Sequence, residues 1–301
     1  MLCIRKENPL QSSKPLISSD KGYYMSSTGR HLTVTKEELT EQPATVRAGW
    51  WQWLFILAIF AAIATTEWIF VYQDVAYGIG LALFLAIGIY IVISVPRLSQ
   101  PITDCATSLA LVPLYIVFTS SLPWFFINQQ YLLPAVYCII LGLCLWHIYQ
   151  EGLSFSELGF KKDKWRKYVL MGIAIGIPMG TAEYLVLHPS PAFPTFEFKY
   201  LLRDLVYMVG FVGLGEELLF RGLVQRDLTK ALGWKWGVIL ASLIFAVMHL
   251  TWRSIPELVF VYMAGLVFGY QYYKTKSLVM PIVTHGIGNV MLVSVMPYLL
   301  T

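Results

Sequence analysis

Residues 50–72 read WWQWLFILAIFAAIATTEWIFVY, a run in which Glu67 is the single charged side chain. A helix crossing the hydrocarbon core of a bilayer needs about 20 mostly apolar residues, and this stretch has that length. Trp50, Trp51 and Trp53 open it, as expected of an interfacial aromatic belt. Carried along the chain, the same criterion gives nine segments, near 50–72, 75–95, 105–127, 131–149, 167–187, 205–225, 236–252, 255–273 and 278–299. The weakest are 131–149, which is short, and 236–252, for which tilting or ending inside the membrane is the alternative. The expected fold class is therefore all-α: a polytopic transmembrane helix bundle of eight to nine spans with a polar N-terminal arm.

Composition agrees with this. The 301 residues are 57% hydrophobic and 13% charged, against about 25% charged in a soluble domain, and the mean hydropathy is +0.61. A typical cytosolic enzyme, a disordered tail and a nucleic-acid binder are excluded, so no nucleic-acid partner is expected. Cys3, Cys105, Cys138 and Cys144 lie in or near apolar runs without metal-ligand spacing, which indicates neither a disulfide framework nor a zinc ribbon.

Charge is concentrated in residues 1–47, where Leu2-Cys3-Ile4 meets Arg5-Lys6 before any signal-peptide core forms. The expected organisation is a polar cytosolic arm over 1–47, accessory transmembrane helices over 48–150 and a chemistry-bearing transmembrane domain over 151–301. With the arm inside, 19 of the 22 Lys and Arg fall on the cytosolic side, and only Lys199, Arg203 and Arg253 fall outside. The positive-inside rule then predicts an integral, multi-pass protein with a cytosolic N-terminus and the C-terminus outside. Gly176 with Gly180, and Gly265 with Gly269, read as small-residue packing faces. Pro113 and Pro178 read as kinks compensated by neighbouring helices.

Polar groups deep in lipid are expensive, so their positions are informative. Glu67, Asp74, Asp104, Glu183, Asp204 and Glu257 fall near span ends. Glu216 and Glu217, in Gly215-Glu216-Glu217-Leu218-Leu219-Phe220-Arg221-Gly222, do not. Glu216 lies eleven residues past Leu205, about 17 Å along a helix rising ~1.5 Å per residue. Glu217 and Arg221, four apart, share a face and suit an ion pair. Glu216 points elsewhere with no partner on its own helix, which suits a general base or acid. Phe245 and His249 recur at the same spacing in the seventh segment, as do His285 and Asn289 in the ninth. Counted from the cytosolic ends, Glu216, His249, His285 and Asn289 lie about 13, 20, 10 and 17 Å deep, so a shared intramembrane cavity is expected. A carboxylate and an imidazole holding one water can deliver hydroxide to a carbonyl. An imidazole N–H and a carboxamide can stabilise the resulting oxyanion. A serine nucleophile is disfavoured because no Gly-x-Ser-x-Gly elbow occurs.

Glu-Glu-x-x-x-Arg at 216–221, Phe-x-x-x-His at 245–249 and His-x-x-x-Asn at 285–289, in this order, resemble the motifs of the CPBP family. These are CaaX-type prenyl-protein endopeptidases and bacteriocin-processing or immunity proteins, also called glutamic intramembrane proteases. The resemblance covers roughly residues 165–300. It implies that Glu216 and His249 activate water and that His285 and Asn289 form the oxyanion site. By the same resemblance Glu217 and Arg221 hold the motif helix and Phe245 walls the pocket. It further implies a metal-independent endopeptidase without cofactor or bound metal, acting on a peptide or protein substrate, lipidated if it follows the eukaryotic branch, at the lipid bilayer. The competing readings are a non-catalytic scaffold or immunity protein, a zinc protease, which lacks His-Glu-x-x-His spacing here, and an ion-coupled transporter, for which no inverted repeat is present.

Overall fold

A computed structural model of the chain describes residues 23–25, 31–33, 50–94, 98–161 and 163–300. Internal contacts divide the chain into residues 1–47 and 48–301. Within the first unit, Tyr23–Met25 (β1) pairs antiparallel with His31–Thr33 (β2), Tyr23 opposite Thr33. No apolar periodicity foretells this hairpin, and the remainder of the expected polar arm lies outside the described residues.

The second unit is helical. Its first helices are α1 (Trp50–Tyr72), α2 (Val75–Ile93), α3 (Gln100–Ser120), α4 (Gln129–Gln150) and α5 (Trp165–Leu187). A composite rod, α6, follows over residues 198–232: α-helical at Phe198–Tyr207, Leu214–Glu217 and Arg226–Leu232, and π-helical at Met208–Gly213 and Leu218–Gln225. Then come α7 (Trp234–Val247), a 3₁₀ turn at Leu250–Trp252, α8 (Ile255–Thr275) and α9, which runs over Val279–Leu299 with a π-helical stretch at Met291–Val295.

Local chemistry sets several boundaries. Asp74 caps α2 by accepting from the Tyr77 amide at 2.9 Å, and Asn128 caps α4 through the Gln130 amide at 3.2 Å. Ser254 accepts from the Glu257 amide at the start of α8. Helix α3 starts five residues before the expected boundary, because Pro101 in its first turn lacks the N–H that would otherwise go unpaired there.

Seven of these nine rods, α7 being counted with its 3₁₀ turn over Trp234–Trp252, are long and apolar enough to cross a membrane by length and composition. The exceptions are α6 and α8. The former is interrupted by π stretches and carries Glu216, Glu217 and Arg221; the latter is diluted by Glu257, Gln271 and several tyrosines. Both are helices where the sequence places spans.

Packing concentrates on the motif-bearing half. Helix α5 lies along α9 through a glycine face: a Cβ at Gly180 would sit 2.1 Å from the Gly288 carbonyl oxygen, and one at Gly176 would sit 2.7 Å from that of Thr284. Only glycine permits that approach, and it fixes the register of α9, on which His285 and Asn289 ride. Helix α3 meets the end of α6, where the buried Ser108 hydroxyl donates to the buried Asp227 carboxylate. The accessory helices are thereby bonded to the motif helix and share one apolar core with it, including Leu109, Leu111, Ile140, Leu219 and Leu223.

Candidate active site

The two glutamates sit on the α-helical turn between the π stretches of α6. A π turn is wider than an α turn and is frequent at functional sites; here π stretches flank both carboxylates. Glu217 is fully buried, and its Oε1 accepts from Arg221 Nη1 at 3.1 Å. Arg221, also fully buried, donates to the Gly265 carbonyl at 3.2 Å and lies 4.3 Å from the centre of the Phe245 ring. Its charge is therefore met by a carboxylate, a carbonyl and an aromatic face, the arrangement a buried guanidinium needs.

Glu216 has no partner on its own helix but finds two on others. The Tyr137 hydroxyl of α4 donates to Oε1, while Oε2 lies 3.8 Å from His285 Nε2, beyond a direct hydrogen bond. His285 Nδ1 is 2.8 Å from Glu217 Oε1, so the imidazole stands between the two carboxylates. Its ring stacks on Phe268 (5.0 Å, 16°) and meets Phe245 edge-on (5.7 Å, 89°), which leaves it little rotational freedom.

His249 lies beyond the last residue of α7, in the junction before the 3₁₀ turn. Its Nδ1 is 2.8 Å from the Phe245 carbonyl oxygen. A carbonyl only accepts, so Nδ1 carries the proton and Nε2 presents a lone pair. The junction is held from outside by Arg253, which donates to the Val71 carbonyl of α1 and lies over Tyr72.

A cavity of about 290 Å³ is lined by Glu216, His249, His285 and Asn289, with Phe245 and Phe268 on its wall. Residues from three separate sequence motifs are thus brought to one space. Glu217 and Arg221 stand behind it rather than in it. A smaller cavity of about 160 Å³ shares Glu216, His249 and Tyr137. Among the described residues, no group of three or more His, Cys, Asp or Glu is arranged to hold a metal ion.

Among the wall residues not singled out as site candidates from the sequence are Tyr137 and Glu183. Tyr137 lies in an ordinary apolar helix, and nothing in its neighbourhood marks it. Glu183, read as an inexpensive span-end acid, lines the larger cavity and interacts with Glu257, which is fully buried. Glu67 and Asp204 are likewise buried rather than solvated at span ends. The signal for Glu183 was its recurrence with Glu257 at the same expected membrane face, which depth counting alone does not resolve.

Residues 198–291 match the family model of type II CAAX prenyl endopeptidases, Rce1-like. The matched stretch begins where α6 begins and contains all seven motif residues; it is narrower than the 165–300 suggested by the resemblance. Neither the curated proteins nor the solved structures give a match. The seven membrane-length helices make the chain an integral membrane protein, and its residues 198–291 are similar to the type II CAAX prenyl endopeptidases of the CPBP family.

Proposed function

We propose that this domain is a metal-independent glutamic endopeptidase that hydrolyses a peptide bond inside the membrane. The observation that carries the reading is the meeting of Glu216, His249, His285 and Asn289 on one cavity. Glu216 Oε2 and the lone pair of His249 Nε2 hold a water and take its proton as the oxygen bonds to the scissile carbonyl carbon. With the water proton held on Glu216, the oxyanion so formed is stabilised by Asn289 and by His285, whose Nε2 donates when the ring carries both protons, with Glu217 as its countercharge. Collapse of the intermediate breaks the C–N bond, and the stored proton passes to the leaving amine. Tyr137 orients the base from α4, and Glu217 with Arg221 orients His285.

The substrate is a membrane-associated peptide or protein, and a lipidated C-terminal tail suits a cavity walled by Phe245 and Phe268 and set among membrane helices. The N-terminal arm is placed in the cytosol and the C-terminus outside, supported by the 19-to-3 division of Lys and Arg. The division into a polar arm, accessory helices over 48–150 and a catalytic domain over 151–301 belongs to the same proposal.

The test uses purified full-length protein in detergent with a membrane-peptide substrate found by comparing membrane proteomes of wild-type and Glu216→Gln cells. Glu216→Gln and His249→Ala are each expected to lower turnover by at least about 10²-fold with unchanged thermal unfolding. Full activity in either variant refutes the mechanism. Zinc chelators are expected to leave activity unchanged; loss that returns with added zinc points to a metalloprotease instead.

A further inference from the structure

At the end of the bundle where α5 begins and α6 and α8 end, a separate open cavity of about 270 Å³ is lined by three chain segments. The α4–α5 connection contributes Glu157 and Lys161, the end of α6 contributes Gln225, Arg226, Thr229 and Lys230, and the end of α8 contributes Tyr272, Tyr273 and Lys276. None of these residues lines the candidate active site. Four cations and one acid face a space the size of a headgroup, at the lower edge of the ~300–1,000 Å³ usual for small-molecule pockets.

The walls are held in place. Gly159, at φ +99°, brings the α4–α5 connection against the turn after α8: a Cβ there would lie 3.0 Å from the Leu278 amide nitrogen and 3.1 Å from the Lys276 carbonyl oxygen. The Leu278 amide donates to the Gly159 carbonyl at 3.3 Å. Leu158, beside it, is fully buried in the core. Lys161 and Lys276, each two residues from this contact, therefore rise from backbone held on adjoining walls. On the third wall, the Gln225 amide donates to the Gly269 carbonyl of α8 at 2.9 Å.

The charges do not cancel. Arg226 and Lys230 are paired with Asp227, at 2.7 and 3.6 Å. The Glu157 carboxylate accepts from the Ser154 amide and hydroxyl, both at 2.7 Å, bonds that hold it below the ordinary carboxylate range and ionised. Among the described residues, Lys161 and Lys276 form no ion pair; Lys276 lies over the Tyr273 ring at 4.5 Å. The positive-inside rule accounts for cations at this end of a bundle. It does not account for a walled cavity that gathers four of them with two left unneutralised.

We infer that this cavity binds a phosphate-bearing anion, the headgroup phosphate of an anionic lipid or a free phosphate. Lys161 and Lys276 carry the attraction, Arg226 and Lys230 complete the positive rim, and Thr229, Tyr272 and Tyr273 offer hydroxyl donors. A basic pocket between helices at the membrane surface is a setting in which anionic headgroups are held.

The experiment is native mass spectrometry of the delipidated full-length protein in detergent, titrated with phosphatidylglycerol, with phosphatidylcholine, and with phosphatidylglycerol in the presence of millimolar inorganic phosphate. Lys161→Gln/Lys276→Gln is compared with Lys167→Gln/Lys235→Gln, which removes the same charge from the same end but outside the cavity. Phosphatidylglycerol binding is expected to weaken about 10- to 30-fold in the first pair and less than about twofold in the second. Retention of lipid against inorganic phosphate assigns the site to a lipid headgroup; displacement assigns it to free phosphate. Equal weakening in both pairs, or equal binding of phosphatidylcholine, overturns the inference.

Discussion

The Tyr137 hydroxyl donates to Glu216 Oε1, so a helix outside residues 198–291 reaches the carboxylate that the proposed mechanism uses as its base. Hydrogen bonds to charged groups contribute about 1.5–3 kcal/mol, and each ~1.4 kcal/mol in a barrier is tenfold in rate. Tyr137→Phe, which deletes only the hydroxyl, is therefore expected to lower kcat about 10- to 100-fold while KM changes less than about twofold. Steady-state cleavage kinetics with a purified substrate peptide make the check. A rise in KM at constant kcat shows instead that Tyr137 shapes the substrate pocket.

His285 and Asn289 differ from Glu216 in the step they are asked to assist. If they stabilise the oxyanion, the ground-state complex forms without them. His285→Ala and Asn289→Ala are expected to reduce kcat about 10²- to 10³-fold, as for other oxyanion donors. Binding of a substrate peptide to either variant in the Glu216→Gln background should be nearly unchanged, as read by fluorescence anisotropy. Loss of binding in both removes the oxyanion role.

Arg221 carries a structural burden that Glu216 does not. Removing one member of a buried ion pair costs about 3–5 kcal/mol because the other charge is stranded. Arg221→Leu is expected to unfold at clearly lower denaturant in detergent micelles. Glu217→Gln/Arg221→Leu should recover part of the loss, since the amide oxygen of the new side chain still accepts from His285 Nδ1. No recovery in the double variant implicates the packing of the guanidinium on Phe245 instead of its charge.

The contact of α5 with α9 makes a sharper steric prediction. At Gly180 even a methyl group collides with the Gly288 backbone, whereas at Gly142 it meets nothing within 4 Å. Gly180→Ala should lower the unfolding midpoint and the turnover together, because Asn289 moves with Gly288. Gly142→Ala should be neutral or stabilising by up to about 1 kcal/mol. Thermal unfolding of the two variants side by side distinguishes a specific close approach from a general need for small residues.

The all-helical architecture and the convergence of Glu216, His249, His285 and Asn289 were legible because lipid penalises buried charge, so the few deep polar residues stand out against apolar runs. The intrahelical Glu217–Arg221 pair was legible from its spacing alone. Three features were not. The π-helical stretches of α6 carry no composition signal, since they depend on how neighbouring helices accept the extra residue in a turn. Tyr137 was invisible because its partner lies 79 positions away and tyrosine is unremarkable in an apolar helix. The burial of Glu67, Asp204 and Glu257 was misread because a position near a span end was equated with hydration, although neighbouring helices can cover such a position as completely as lipid does.

The salt bridge between Glu217 and Arg221 also bears on how α6 enters the bilayer. Both charges belong to one helix, so the segment brings its own counter-ion through the insertion machinery and presents a dipole rather than two bare ions. Only Glu216 then waits for outside help. Its hydroxyl donor on α4 is synthesised earlier and is already in the membrane when α6 arrives, whereas His285 follows on α9. The order of the chain thus supplies a partner for the lone acid before the imidazole that completes the site has been made.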